Sequence, residues 1–317
     1  MGLPEILLII AAVLASGFIF MLCYTYSIAK KVYAEQLVRT SPEKWGRTCS
    51  FPNDAEQVQM WNDGVAWMEA NKDRITELQI ENDGLKLFGQ YFDFGKERCV
   101  IILPGRCESL VYSYYFAPPY EKAGFNVLVV DTRCHGMSDG KYNTIGVKES
   151  GDVLKWAELA HDRLQNKEIY FHGICIGTSS GLFALEAGRC PDYLRGLVTE
   201  GCYVSFRETF KRHMIALNRP LFPVLQFVMW LIYRHTGTNV YTQKPIRAIR
   251  KIKPDCRVLF LYGQMDIFSI PQKSRELFDA CISEDKKLVW FEKGGHSHLR
   301  INNTQQYDQA IVDFFAE

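Results

Sequence analysis

The chain lacks any excess of one charge: 37 Lys and Arg stand against 36 Asp and Glu in 317 residues. A nucleic-acid-binding surface is basic, so no nucleic-acid partner is expected. Cysteine is sparse, ten in all, and no two are spaced C-x-x-C. That excludes a small disulfide scaffold, and scattered singles such as Cys99, Cys134, Cys190 and Cys256 read as reduced, buried thiols of a cytosolic compartment. His296-Ser297-His298 has no third ligand at metal-site spacing. Neither a phosphate loop nor a dinucleotide fingerprint follows the first strand of the α/β part, so no metal and no cofactor are implied. There is no internal repeat and no low-complexity tract. With 47% hydrophobic and 23% charged residues, the composition is that of a globular chain, not a disordered one.

The longest apolar run opens the chain. Ile6 to Cys23 holds 18 uncharged residues, enough for a helix to cross roughly 30 Å of hydrocarbon. A cleaved signal peptide would carry basic residues before the run and a small-x-small site after it. Here Glu5 precedes and Cys-Tyr-Thr-Tyr follows. A membrane anchor over residues 1–24 is therefore expected, then a juxtamembrane linker over 25–53. Lys30, Lys31 and Arg39 lie on its C-terminal side, which places the body of a single-pass protein in the cytoplasm.

The body, residues 54–317, begins with helical spacing from Asp54 to Arg74. Two alternating runs follow, Ile75–Ile80 and Leu85–Phe92, split by Asn82-Asp83-Gly84, a hairpin signal. Thereafter short apolar strands (Cys99–Leu103, Asn126–Asp131, Glu168–His172, Leu194–Thr199, Arg257–Tyr262, Lys287–Phe291) alternate with helical stretches at 147–165, 176–187, 271–281 and 304–315. Continuous apolar strands between helices predict an α/β fold with a mostly parallel sheet covered on both faces. About fifty residues, 203–254, break the alternation and read as a helical lid. Its apolar piece Leu221–Tyr233 is short and interrupted by Pro223 and Gln226, with an interfacial segment as the alternative.

Chemistry collects where strands end. Glu168–His172 runs into Gly173-Ile174-Cys175-Ile176-Gly177 and a helix, the strand–turn–helix setting of a nucleophile elbow with cysteine in the serine place. A thiol there sits at a helix N-terminus, where the macrodipole favours thiolate. A literal G-x-S-x-G follows at Gly177–Gly181, but Ser179 falls one turn inside the helix, away from a strand tip. Asp266 follows the strand 257–262. His296 follows the strand 287–291, with His298 as the alternative base two residues on. Nucleophile, acid and histidine thus occur in the order this fold uses. After Leu103, Pro104-Gly105-Arg106 supplies a turn whose Arg106 N–H, with that of Ile176, would form an oxyanion hole.

Together these residues resemble the α/β-hydrolase superfamily, particularly its membrane-anchored, serine-aminopeptidase-like and lysophospholipase-like branch, from about Ile75 to Ala316. The Val130–Gly140 segment (VDTRCHGMSDG) resembles a loop common there, with His135 structural rather than catalytic. Cysteine in place of the nucleophilic serine resembles dienelactone hydrolases. The resemblance implies a hydrolase or acyltransferase acting on an ester, thioester or lipid-like substrate through a Cys175–His296–Asp266 set. The alternative is an inactive, membrane-anchored binding or scaffold protein.

Overall fold

A computed structural model of the chain describes residues 2–316. Eight strands form one sheet: β1 (Ile75–Asn82), β2 (Leu85–Phe92), β3 (Arg98–Leu103), β4 (Phe125–Val130), β5 (Glu168–Ile174), β6 (Leu194–Glu200), β7 (Arg257–Gly263) and β8 (Lys286–Phe291). Their order is β1-β2-β4-β3-β5-β6-β7-β8. The β1–β2 hairpin and the β2–β4 pair are antiparallel, and every later pair is parallel. All eight expected strands are present, within two residues at either end.

The parallel strands are apolar throughout because both faces are covered. On β3, Val100 and Ile102 join one core cluster while Cys99, Ile101 and Leu103 join the other, the period-two alternation of a strand between two layers. The helices are α1 (Leu3–Leu37), α2 (Ala55–Ala70), α3 (Leu110–Tyr115), α4 (Pro118–Lys122), α5 (Glu149–Asp162), α6 (Ile176–Ala184), α7 (Phe206–Ala216), α8 (Val224–Thr236), α9 (Pro245–Ala248), α10 (Pro271–Ala280), α11 (Leu299–Asn302) and α12 (Thr304–Ala316). Helix α2 starts where Asp54 accepts the Glu56 and Gln57 amides, an N-cap. Residues 203–254, the stretch expected as a lid, contain α7, α8 and α9.

The N-terminal segment differs from the expected anchor and linker. A single 35-residue helix runs through both. Its first part is apolar and exposed, and among the described residues it is the helix long and apolar enough to cross a membrane. Beyond residue 25 it becomes part of the domain: Ala29, Val32, Tyr33 and Leu37, spaced as one helical face, are buried in the core. Tyr26 packs edge-on against Phe227 and Trp230 of α8. Lys44 then folds back to donate to the carbonyls of Ala34, Glu35 and Val38 at 2.6–2.7 Å, satisfying the helix's last acceptors.

Candidate active site

Every candidate residue comes from a loop at the carboxyl edge of the sheet. At the end of β5 the chain turns sharply through Cys175, whose φ of 52° and ψ of −109° lie where L side chains are rarely found. The turn depends on the glycines around it. A Cβ on Gly173 would lie 2.4 Å from the backbone of Thr178, and one on Gly177 would lie 2.1 Å from the Leu103 carbonyl oxygen of β3. The Cys175 amide donates to the Glu200 carbonyl at 2.9 Å. The turn therefore holds the side chain above the sheet, at the mouth of a cavity. Ser179 lies elsewhere: it is fully buried in α6, under Gly146, whose Cβ would be 2.7 Å from its own. It cannot meet a substrate without dismantling that packing.

Asp266 follows β7 in a buried loop, where its Oδ1 accepts the amides of Phe268 and Ser269, both at 2.8 Å. Its Oδ2 lies 2.8 Å from Nδ1 of His296 in the loop after β8. Burial alone would raise the Asp266 pKa, but the facing imidazole and these donors outweigh it and hold the carboxyl below its ordinary value. The same pair acts oppositely on His296. Burial pushes its pKa down, yet the negative charges of Asp266 and Cys175 hold it well above the usual histidine value. Nε2 is buried, and Cys175 acts on the ring both by charge and by side-chain hydrogen bonding. The ring rests on the backbone at Gly201, where a Cβ would come within 2.9 Å of Cε1. His298 is placed differently: its Nδ1 donates to the His296 carbonyl at 2.8 Å and its Nε2 is 3.6 Å from Asp54.

The Arg106 turn is tied from three sides. The Gly105 amide donates to Glu108 at 3.0 Å, and the Arg106 side chain donates to the Gln36 carbonyl (3.0 Å) and Oε1 (2.7 Å) at the end of α1. His135 Nε2 donates to the Arg106 carbonyl at 2.5 Å, while Trp45 stacks on the His135 ring. His135 thus braces the turn from below and is buried away from the cavity. The Ile176 amide, first in α6, has no partner within its helix.

Cys175, His296, Arg106 and Gly105 line a cavity of about 200 Å³. Phe51, Phe268 and His213 also line it, with Asp54, Gln57, Glu108 and His298. His213 was not singled out by the sequence; it comes from α7 and stacks on Phe268 at 3.7 Å. Burial, with the charges of Arg106 and His296, pushes its pKa to about 3, so the ring stays neutral. Among the described residues, no three His, Cys, Asp or Glu are grouped to hold a metal ion. A strained thiol, a buried imidazole and a carboxylate in line can perform nucleophilic acyl transfer.

Strand order, elbow and loop placement make this chain an α/β-hydrolase-fold protein. A family model described as alpha/beta hydrolase fold matches residues 98–220. In sequence, the chain is 25% identical over 217 residues to the uncharacterized protein YqkD of Bacillus subtilis (strain 168), covering 68% of this chain and 70% of that protein. It is 24% identical over 199 residues to the uncharacterized membrane protein YNL320W of Saccharomyces cerevisiae, covering 62% of this chain and 63% of that one. In structure it matches the Pyrococcus furiosus esterase Pf2001 with a TM-score of 0.65 at 20% identity, over 78% of this chain and 94% of the esterase. A Paleococcus ferrophilus monoacylglycerol lipase matches with a TM-score of 0.54 at 19% identity, over 72% and 98%.

Proposed function

We infer that the protein cleaves or transfers the acyl group of an ester or thioester through an acyl-cysteine intermediate. The observation that carries this reading is the 2.8 Å Asp266–His296 pair with the ring's buried Nε2 directed to the Cys175 elbow. The Cys175 proton passes to Nε2, and Sγ attacks the substrate's carbonyl carbon. The carbonyl oxygen gains the negative charge, which the amides of Arg106 and Ile176 stabilise. Collapse breaks the bond to the leaving group, whose oxygen or sulfur takes the proton from Nε2. A water then gives a proton to Nε2 as its oxygen attacks the acyl carbon; the carbon–sulfur bond breaks, Sγ takes the proton back and the acid leaves, while an acceptor alcohol in place of water makes the step a transfer. Asp266 keeps the imidazole oriented and stabilises its charge.

The largely apolar cavity and the named esterase and lipase among its fold neighbours favour ester or lipid-like acyl substrates. Residues 1–24 serve as a membrane anchor and 54–317 as the hydrolase domain, with a lid at 203–254. Lys30, Lys31 and Arg39 set that domain on the cytoplasmic side, and the membrane protein among the relatives agrees with an anchor. Protease added to right-side-out vesicles should spare the domain. A panel of p-nitrophenyl esters and acyl-CoA thioesters of graded chain length tests the chemistry. Turnover that is lost in Cys175→Ala supports the reading; a wild type inert on the whole panel leaves a binding or scaffold protein instead.

A further inference from the structure

The lid segment carries exposed apolar residues and an excess of basic ones. Residues 206–236 contain five Lys and Arg but a single acidic residue, Glu208, in a chain whose charges otherwise balance. Ile215, Leu217, Phe222, Trp230 and Tyr233 on this segment are exposed, Phe222 at 79%. On α8 the exposed positions Gln226, Trp230, Tyr233 and Arg234 follow helical spacing, and Phe222 continues that stripe one turn earlier. The opposite stripe, Leu225, Val228, Met229 and Ile232, is buried.

The direction of α8 gives this surface its meaning. Tyr26 of α1 meets Phe227 and Trp230, and Tyr33 meets His235, so the two helices run parallel. Carried back one turn at 1.5 Å per residue, that register brings Phe222 level with the last residues of the apolar run of α1. Lys30 and Lys31 follow about one turn beyond Tyr26. Aromatics beside the end of a span, with basic residues just past them, match the order of a membrane–water interface. Further along α1, α7 packs against residues 32–36 around a gap of about 10 Å³ lined by Val32, Gln36, His213, Leu217 and Arg219, and Arg219 pairs with Glu35 at 3.1 Å. His213 also lines the cavity that holds Cys175.

We propose that the start of α8 is a second membrane contact, with Phe222 and Trp230 seated in an anionic lipid surface beside Lys30 and Lys31 of α1. This rests on the reading of α1 as a span.

The test uses the full chain reconstituted in phosphatidylcholine vesicles with or without phosphatidylserine. Lipids brominated near the glycerol should quench part of the tryptophan fluorescence, and Trp230→Phe should lose that part. A photoreactive benzoylphenylalanine in place of Phe222 should form lipid adducts, while the same group at Glu97, on the opposite edge of the sheet, should form none. Lys30→Glu with Lys31→Glu should reduce the quenching in the phosphatidylserine vesicles alone. Equal quenching in wild type and Trp230→Phe, or no lipid adduct at 222 in protein that floats with the vesicles, overturns the proposal. Adducts from 222 to a second copy of the chain overturn it as well. Protein that does not float, or leaves the vesicles in alkaline carbonate, overturns the span reading and with it this one.

Discussion

Glu200 offers a perturbation whose size follows from its surroundings. It ends β6 beside the elbow, its carbonyl accepting the Cys175 amide, and its side chain is fully buried. Burial pushes the carboxyl up from 4.5 to about 7, against the pull of the Tyr307 hydroxyl, the Leu299 amide and the nearby His296 and His298. A folded-state pKa raised above the unfolded one means the native state binds the proton more readily. The stability this contributes is complete below pH 4.5 and is lost as pH rises through about 7. At 1.36 kcal/mol per pH unit, the rise amounts to about 3 kcal/mol. Glu200→Gln does not titrate and keeps an acceptor for Tyr307. Urea unfolding of both proteins should therefore show the variant gaining on wild type by up to about 3 kcal/mol between pH about 4 and about 8. A difference that stays constant over that range would refute the reasoning.

Gly177→Ala should cost at least about 3 kcal/mol and abolish turnover, because its Cβ would sit 2.1 Å from the Leu103 oxygen and β3 would have to move; a thermal melt and an ester assay check both. Ser179→Ala should keep turnover and stay within about 1 kcal/mol of wild-type stability, since it trims a single buried hydroxyl; an inactive variant would instead favour the literal serine motif. Asp266→Asn should lower stability most between pH 3.8 and 6.5. The depressed Asp266 pKa gives stability that fades as pH falls through the folded value, and the raised His296 pKa gives stability that fades as pH rises through its own. Melting temperatures of both proteins across pH would show the gap narrowing on either side.

The strands were legible because β1 and β2 alternate around Asp83-Gly84 and the later six are short apolar runs, and the elbow because Gly173 and Gly177 bracket Ile174-Cys175-Ile176 at the end of one of them. Asp266 and His296 could be located since each directly follows such a strand. The short helices α3 and α4 were not separable from loops, being six and five residues long. The continuation of α1 past residue 24 is written in the sequence as one helical face, Ala29, Val32, Tyr33 and Leu37. His213 gave none, because its meeting with Phe268 joins residues 55 positions apart through the docking of the lid. The bracing of Arg106 by Gln36 and His135 is likewise long-range, so local spacing could suggest the oxyanion turn but not what holds it.

The central claim is that Cys175 carries the acyl group. The most direct measurement is mass spectrometry of the full chain quenched in acid during turnover of a p-nitrophenyl ester or acyl-CoA thioester. An acyl adduct on the peptide containing Cys175, absent from Cys175→Ala, with Cys175→Ser retaining some ester hydrolysis while losing sensitivity to thiol reagents, is the predicted result. Turnover with the adduct on Ser179, or undiminished turnover by Cys175→Ala, would contradict it.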